Sequence, residues 1–252
     1  MQLSNKVAIV TGAARGLGRA YAEAMAGEGA AILACDVNDC SETVNAITDA
    51  GGRAVSAITD IGSMESCQSM ADQALEAFGK IDTLVNNAAL YGGLKGGRFE
   101  SLDEAQWDAV MNINIKGLWQ SCKAVVGPMR ENGGGSIINI ASLAAVFGMP
   151  FGLDYVASKA AVIGMTRGMA RELGGDKIRV NAVAPSAVLT EGTSEFFGEK
   201  LEKAKSVIAS GQVIQRNLET GDLTGTIVYL ASDNSAFVTG QTHMVDGGSW
   251  FL

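Results

Sequence analysis

Tyr155 and Lys159 are the residues of this sequence whose types and spacing could move a proton. Four residues apart on a helix, two side chains stand on one face, one turn above each other. A phenol titrates near ~10 and is a poor acid or base at neutral pH. An ammonium beside it favours the phenolate and lowers that pKa. The pair can then exchange a proton with a substrate oxygen. Alone, the spacing also fits an ordinary solvated helix face, so its meaning depends on the company it keeps.

The elements that must position such a pair begin at the N-terminus. Lys6 to Thr11 reads as a buried strand, Val7-Ala8-Ile9-Val10 being continuously apolar. Thr11-Gly12-Ala13-Ala14-Arg15-Gly16-Leu17-Gly18 follows, and then a helical stretch to about Glu28. Strand, glycine turn and helix are the context a dinucleotide fingerprint needs. The glycines let the backbone approach a pyrophosphate, and the helix N-terminus supplies amides and a partial positive charge. The spacing is Gly-x-x-x-Gly-x-Gly, not Gly-x-Gly-x-x-Gly, and a plain turn is the competing reading.

Ala30 to Cys35 is a second apolar strand with Asp36 at its end. A carboxylate there can accept hydrogen bonds from an adenosine ribose and repels a 2′-phosphate, which favours NAD over NADP. Arg15 dissents, because a cation in the glycine loop could hold that phosphate. Asp36 could instead cap a helix starting near Asn38.

Helix-like stretches at about 39–50 and 63–78 flank a short strand, Ala54 to Ile58, with Asp60-Ile61 after it. Asp82 to Val85 begins a fourth strand that ends in Asn86-Asn87-Ala88-Ala89. A long helix spans about 103–126 and carries Asn112 and Asn114, each costing some helix propensity. Ser136 to Ala141 is a fifth strand with Ser142 at its end; the helix of Tyr155 and Lys159 runs from about Asp154 to Leu173. Ile178 to Ala182 is a sixth strand, followed by Pro185-Ser186-Ala187-Val188-Leu189-Thr190, and Thr242 to Val245 is the last. Strands alternating with helices imply right-handed crossovers and a parallel sheet. No repeat or linker divides residues 1–252, so one domain is expected.

Composition removes several function classes. A net charge of -8 argues against nucleic acid, which usually meets a basic patch. A single histidine, His243, excludes a His-based zinc cluster within one chain, and no Gly-x-Ser-x-Gly elbow accompanies it for hydrolysis. No metal site is expected. Cys35, Cys40, Cys67 and Cys122 lack paired ligand spacing, and Met1 to Val10 lacks a signal-peptide core, so a reducing cytoplasm fits. The charge-free run Gly133 to Leu153 contains Asn139, Ser142 and Pro150, and reads as a buried strand and an apolar loop rather than a membrane span.

Taken together, these residues resemble the short-chain dehydrogenase/reductase family over essentially the whole chain, Lys6 to Gly248. Thr11 to Gly18 matches its Thr-Gly-x-x-x-Gly-x-Gly pattern. Asn114, Ser142, Tyr155 and Lys159 match its catalytic residues in order and spacing. Two positions depart: Ala89 replaces the glycine of Asn-Asn-Ala-Gly, and Ser186 follows Pro185 where glycine is usual.

The resemblance implies an α/β fold, a single doubly wound Rossmann-type parallel sheet flanked by helices on both faces. It implies that Tyr155 exchanges the proton of the reacting oxygen and that Ser142 holds that oxygen. Lys159 would lower the Tyr155 pKa and bind the nicotinamide ribose, and Asn114 would hold a relay water. For the cofactor, Gly12, Arg15, Gly16, Leu17 and Gly18 would surround the phosphates and Asp36 the ribose. Asp60 and Ile61 would border the adenine, Asn87 would line the channel, and Val188 and Thr190 would meet the carboxamide. NAD is the expected cofactor, NADP the less favoured one. A mobile lid is expected at about 190–211, where Phe197, Leu201, Ala204 and Ile208 form an apolar stripe. With the apolar stretch Leu143 to Phe151, the lid suggests a small hydrophobic alcohol or ketone as substrate. An NADPH-dependent carbonyl or acyl-thioester reductase and a silent nucleotide-binding protein are the alternatives. Family members are commonly homotetramers, and the apolar tail Trp250-Phe251-Leu252 is expected to cross or line a subunit interface.

Overall fold

A computed structural model of the chain describes residues 1–251. Seven strands form one sheet in the order β3-β2-β1-β4-β5-β6-β7. These are β1 (Val7–Thr11), β2 (Ala31–Asp36), β3 (Arg53–Ile58), β4 (Thr83–Asn86), β5 (Gly135–Ile140), β6 (Ile178–Pro185) and β7 (Thr242–Val245). All six pairings are parallel. Seven strands were expected and seven are found, five with ends shifted by about one residue and β7 with the expected bounds; β6 runs on to Pro185, where Val183 and Ala184 pair with β7.

Successive side chains of a strand point to opposite faces, and the core divides accordingly. Ile9 of β1 and Ile137 of β5 face one layer, which includes Met70, Val125, Met129 and Val162. Ala8 and Val10 of β1 and Ile138 of β5 face the other, with Tyr21, Met25, Ile47 and Ile227. The first layer is supplied by helices α3 (Met64–Phe78), α5 (Leu118–Glu131) and α7 (Leu153–Leu173). The second is supplied by α1 (Gly16–Gly27), α2 (Ser41–Asp49) and α10 (Gly221–Ala231). Strands buried on both faces cannot alternate in polarity, which is why Val7 to Val10 read as a continuous apolar run.

Three local features differ from the sequence reading. The expected helix over 103–126 is a composite of α4 (Glu104–Val110), a π-helical segment Met111–Gly117 and α5. Asn112 and Asn114 lie in that segment, and the wider turn is a common device beside functional sites. The apolar loop after β5 contains a short helix, α6 (Ala144–Phe147). The stretch 190–211 holds α8 (Glu191–Phe197) and α9 (Leu201–Ser210), in which no residue but Thr193 is fully buried. Loose packing of that kind leaves low local stability. Among the described residues, no helix is long and apolar enough to cross a membrane.

Candidate active site

Strand order reverses direction between β1 and β4, and in such sheets the crevice opens beyond the carboxyl ends at that point. A cleft of about 890 Å³ lies there. One wall is the glycine loop. Gly12 has φ of +67°, and a Cβ on it would come within 2.8 Å of the Ala88 Cα, so glycine is required twice over. A Cβ on Gly18 would overlap the Gly12 carbonyl oxygen; Gly18 thus lets α1 close onto the loop but does not line the cleft. No side chain caps the first turn of α1, so its amides remain as donors toward an anion.

Asn87 fixes the loop from the neighbouring strand end, its Nδ2 donating to the Thr11 and Gly12 carbonyls at 3.0 and 3.1 Å. The Thr11 hydroxyl in turn accepts the Asn87 and Ala88 amides at 3.0 Å. Asp36 does not cap α2. It accepts the Asn38 amide at 2.9 Å and the Ala14 amide at 3.3 Å, while Asp39 accepts the Ser41 amide at the helix start. The Asp36 carboxylate is thereby turned toward the cleft beside the glycine loop, where it lines the wall. Gly12, Arg15, Gly16, Leu17, Asp60, Ile61, Asn87, Val188 and Thr190 line the cleft as well.

At the far end Ser142, Tyr155 and Lys159 meet. The helix α7 delivers Tyr155 and Lys159 one turn apart, and the Lys159 ammonium lies 5.7 Å from the Tyr155 ring centre. It donates to the Ile140 carbonyl at 2.7 Å, at the end of β5. Burial pushes the Lys159 pKa down to about 8. The sequence leads one to expect Lys159 to lower the Tyr155 pKa, and here burial prevails. Desolvation pushes the phenol up, Tyr91 adds to the rise, and a hydrogen bond with Ser142 offsets part of it. The physical reason is desolvation, which disfavours the Tyr155 phenolate and the Lys159 ammonium alike.

Asn114 stands behind the cleft rather than in it. Its side chain accepts the Leu90 amide at 2.8 Å and donates to the Leu90 carbonyl at 3.2 Å and the Ser158 hydroxyl at 3.1 Å. It thus ties the loop after β4 to α7 on the turn between Tyr155 and Lys159. The two departures from the family pattern are both accommodated. Neither Ala89 nor Ser186 has positive φ, so neither position demands glycine. The Ser186 hydroxyl donates to Gln212 at 3.1 Å and so anchors the end of the 190–211 stretch.

Sequence reasoning passed over several residues of this site. Tyr91 lies 5.1 Å from Tyr155, ring to ring, and stacks on Phe196 of α8 at 4.9 Å. Phe147 and Met149, by contrast, belong to the apolar stretch Leu143 to Phe151 expected beside the substrate, and they line the cleft. Glu195 pairs with Arg15 across the cleft mouth. Irregular loops carry no periodicity, so only the aromatic after Asn-Asn-Ala-Ala could have drawn attention to Tyr91. Among the described residues, no cluster could hold a metal ion.

The donors and acceptors in the cleft suit a nicotinamide dinucleotide: free amides at α1, glycine backbone at the turn, a ribose acceptor in Asp36 and a cation in Lys159. Comparison with known proteins agrees with that geometry. The family model described as enoyl-(acyl carrier protein) reductase matches residues 12–249. A (2S)-((R)-hydroxy(phenyl)methyl)succinyl-CoA dehydrogenase subunit of Thauera aromatica is 39% identical over 98% of this chain and 98% of its own. The 3-oxoacyl-(acyl-carrier-protein) reductase FabG of Thermotoga maritima is 36% identical over 98% of this chain and 99% of its own. The solved structure of carveol dehydrogenase from Mycobacterium avium, in complex with NAD, superposes with a TM-score of 0.93 at 31% identity, covering 98% of both chains.

Proposed function

The chain belongs to the short-chain dehydrogenase/reductase family, and from that premise we propose that it is an NAD-dependent oxidoreductase interconverting a hydrophobic secondary alcohol and its ketone. The observation that carries the reading is the convergence of Ser142, Tyr155 and Lys159 in one cleft with the glycine loop and Asp36. Gly12, Gly16, Leu17 and the first turn of α1 would hold the pyrophosphate, and Asp36 the adenosine ribose. Asp60 and Ile61 would flank the adenine, Val188 and Thr190 the carboxamide, and Lys159 the nicotinamide ribose. When bound in oxidised form, the nicotinamide supplies the hydride acceptor and a second positive charge near Tyr155.

The substrate oxygen would sit between the Ser142 and Tyr155 hydroxyls. Tyr155 takes its proton in oxidation and returns it in reduction. Lys159 keeps a positive charge beside the phenolate, and Asn114 holds the loop and helix that set the distance. Tyr91, Phe147, Phe197 and Ile208 supply an apolar wall, and Lys159 and Arg15 are the only basic residues among those described in the cleft lining. That balance supports an uncharged hydrophobic substrate. Residues 190–211 would act as the lid that excludes water. Four free, buried cysteines fit a reducing cytoplasm.

A second reading, an NADPH-dependent acyl-thioester or carbonyl reductase, draws on Arg15 and on the activity named for the Thermotoga relative. Absorbance at 340 nm with both cofactors against a panel of alcohols and ketones separates the two. Catalytic efficiency should be higher with NAD, and the gap should narrow in Asp36→Ala. Equal efficiency of the wild type with both cofactors would sink the NAD assignment.

A further inference from the structure

Arg15 is the one cation in the glycine loop, the place where a 2′-phosphate would find a partner. Its guanidinium is already engaged. Nη1 and Nη2 each bond one oxygen of Glu195, at 2.5 and 3.0 Å, a two-point ion pair between the glycine loop and α8. Such fork-to-fork pairing is the strongest geometry open to arginine, and it occupies the donors that would clasp a phosphate in the same way. Two more carboxylates, Glu191 and Asp36, lie near enough to stabilise the Arg15 charge further.

The Glu195 carboxylate also lies against Gly92 of the loop after β4, where a Cβ would run into it. The other basic residue among those described in the cleft lining, Lys159, is bonded to the Ile140 carbonyl at the opposite end. A 2′-phosphate would therefore face the Asp36 carboxylate and find Arg15, the cation of the glycine loop, held by Glu195.

We infer that Glu195 is a cofactor-selectivity residue, which withholds Arg15 from a 2′-phosphate and so strengthens the preference for the unphosphorylated dinucleotide. The inference rests on the dinucleotide site proposed above. It assigns to α8 a second task besides covering the substrate. It also explains how a loop arginine coexists with Asp36. The pair is half exposed, so its effect is moderate.

The test is direct binding without substrate. Kd values for NADH and NADPH are read from the cofactor's fluorescence with wild type, Glu195→Gln, Glu191→Gln and the double variant Arg15→Ala/Glu195→Gln. Glu195→Gln should tighten NADPH relative to NADH by about two- to fivefold, the range a surface ion pair can withhold. Adding Arg15→Ala should erase that gain, and Glu191→Gln, which removes a charge but no bond to Arg15, should shift the ratio less. An unchanged NADPH/NADH ratio in Glu195→Gln, or a gain that survives Arg15→Ala, would overturn the inference. A wild type that binds NADPH more tightly than NADH would instead overturn the cofactor choice proposed above, while the ratio between variant and wild type still decides the role of Glu195.

Discussion

Lys159 carries a buried charge, and its cost should be visible in stability before any substrate is added. Its pKa in the fold is about 8, against 10.5 for a free lysine. Below pH 8 it is protonated both folded and unfolded, and the fold bears the full penalty of burying the ammonium. Between about 8 and 10.5 the unfolded chain binds the proton more than the native one, so this group's contribution to stability rises with pH. The buried cysteines, with thiols pushed up from 9.0, act in the opposite sense at the upper end. The clean measurement is therefore the difference in thermal midpoint between wild type and Lys159→Met in the cofactor-free protein. That difference should move in favour of the wild type from pH 7 to 9.5. A difference independent of pH would mean that Lys159 keeps an ordinary pKa.

At the scale of elements, the glycine turn is the part whose geometry is least negotiable. Gly12→Ala places a Cβ against the Ala88 backbone at positive φ. Strain of that kind costs about 1–3 kcal/mol, so the variant should melt at lower temperature and bind NADH more weakly. Unchanged melting and binding would show that the turn does not need the left-handed conformation. This turn was legible from sequence because its chemistry is local: a buried strand, three glycines and a helix start in consecutive residues. The inner strands β1, β2 and β4 were legible for the same reason, being buried and largely apolar along their length. Asn114 was placed by motif, but its π-helical setting was not, since a wider turn depends on packing between Leu90 and Ser158 rather than on residue type. The partners of Arg15 and Tyr91 come from α8, roughly a hundred residues or more away in sequence, and no local pattern announces such contacts. Spacing announces the proximity of Lys159 and Tyr155 but not the burial of both, which disfavours charge on either.

For the molecule as a whole, the surface argues for company. Trp119 on α5, Phe237 and Phe251 are large apolar residues left exposed. Trp250 meets Phe147 of its own subunit edge-on, with ring centres 6.2 Å apart, beside the cleft, while Phe251 is 77% exposed; Leu252 lies outside the described residues. We propose a homotetramer in which this tail borders a neighbouring subunit. Light scattering on the intact chain should give a tetrameric mass, and a chain ending at Ser249 should lose assembly or thermal stability. A monomeric intact protein would refute the assembly, and an unaltered tetramer after truncation would refute the role of the tail.

The central claim is that Tyr155 moves the proton while the bound dinucleotide takes or gives hydride. Single-turnover oxidation of an active alcohol, followed at 340 nm with wild type and Tyr155→Phe at saturating NAD, tests it most directly. The rate should be lower by ~10²-fold or more in Tyr155→Phe, as expected for losing a general acid–base group, with NADH binding largely retained. A near wild-type single-turnover rate in Tyr155→Phe would contradict it.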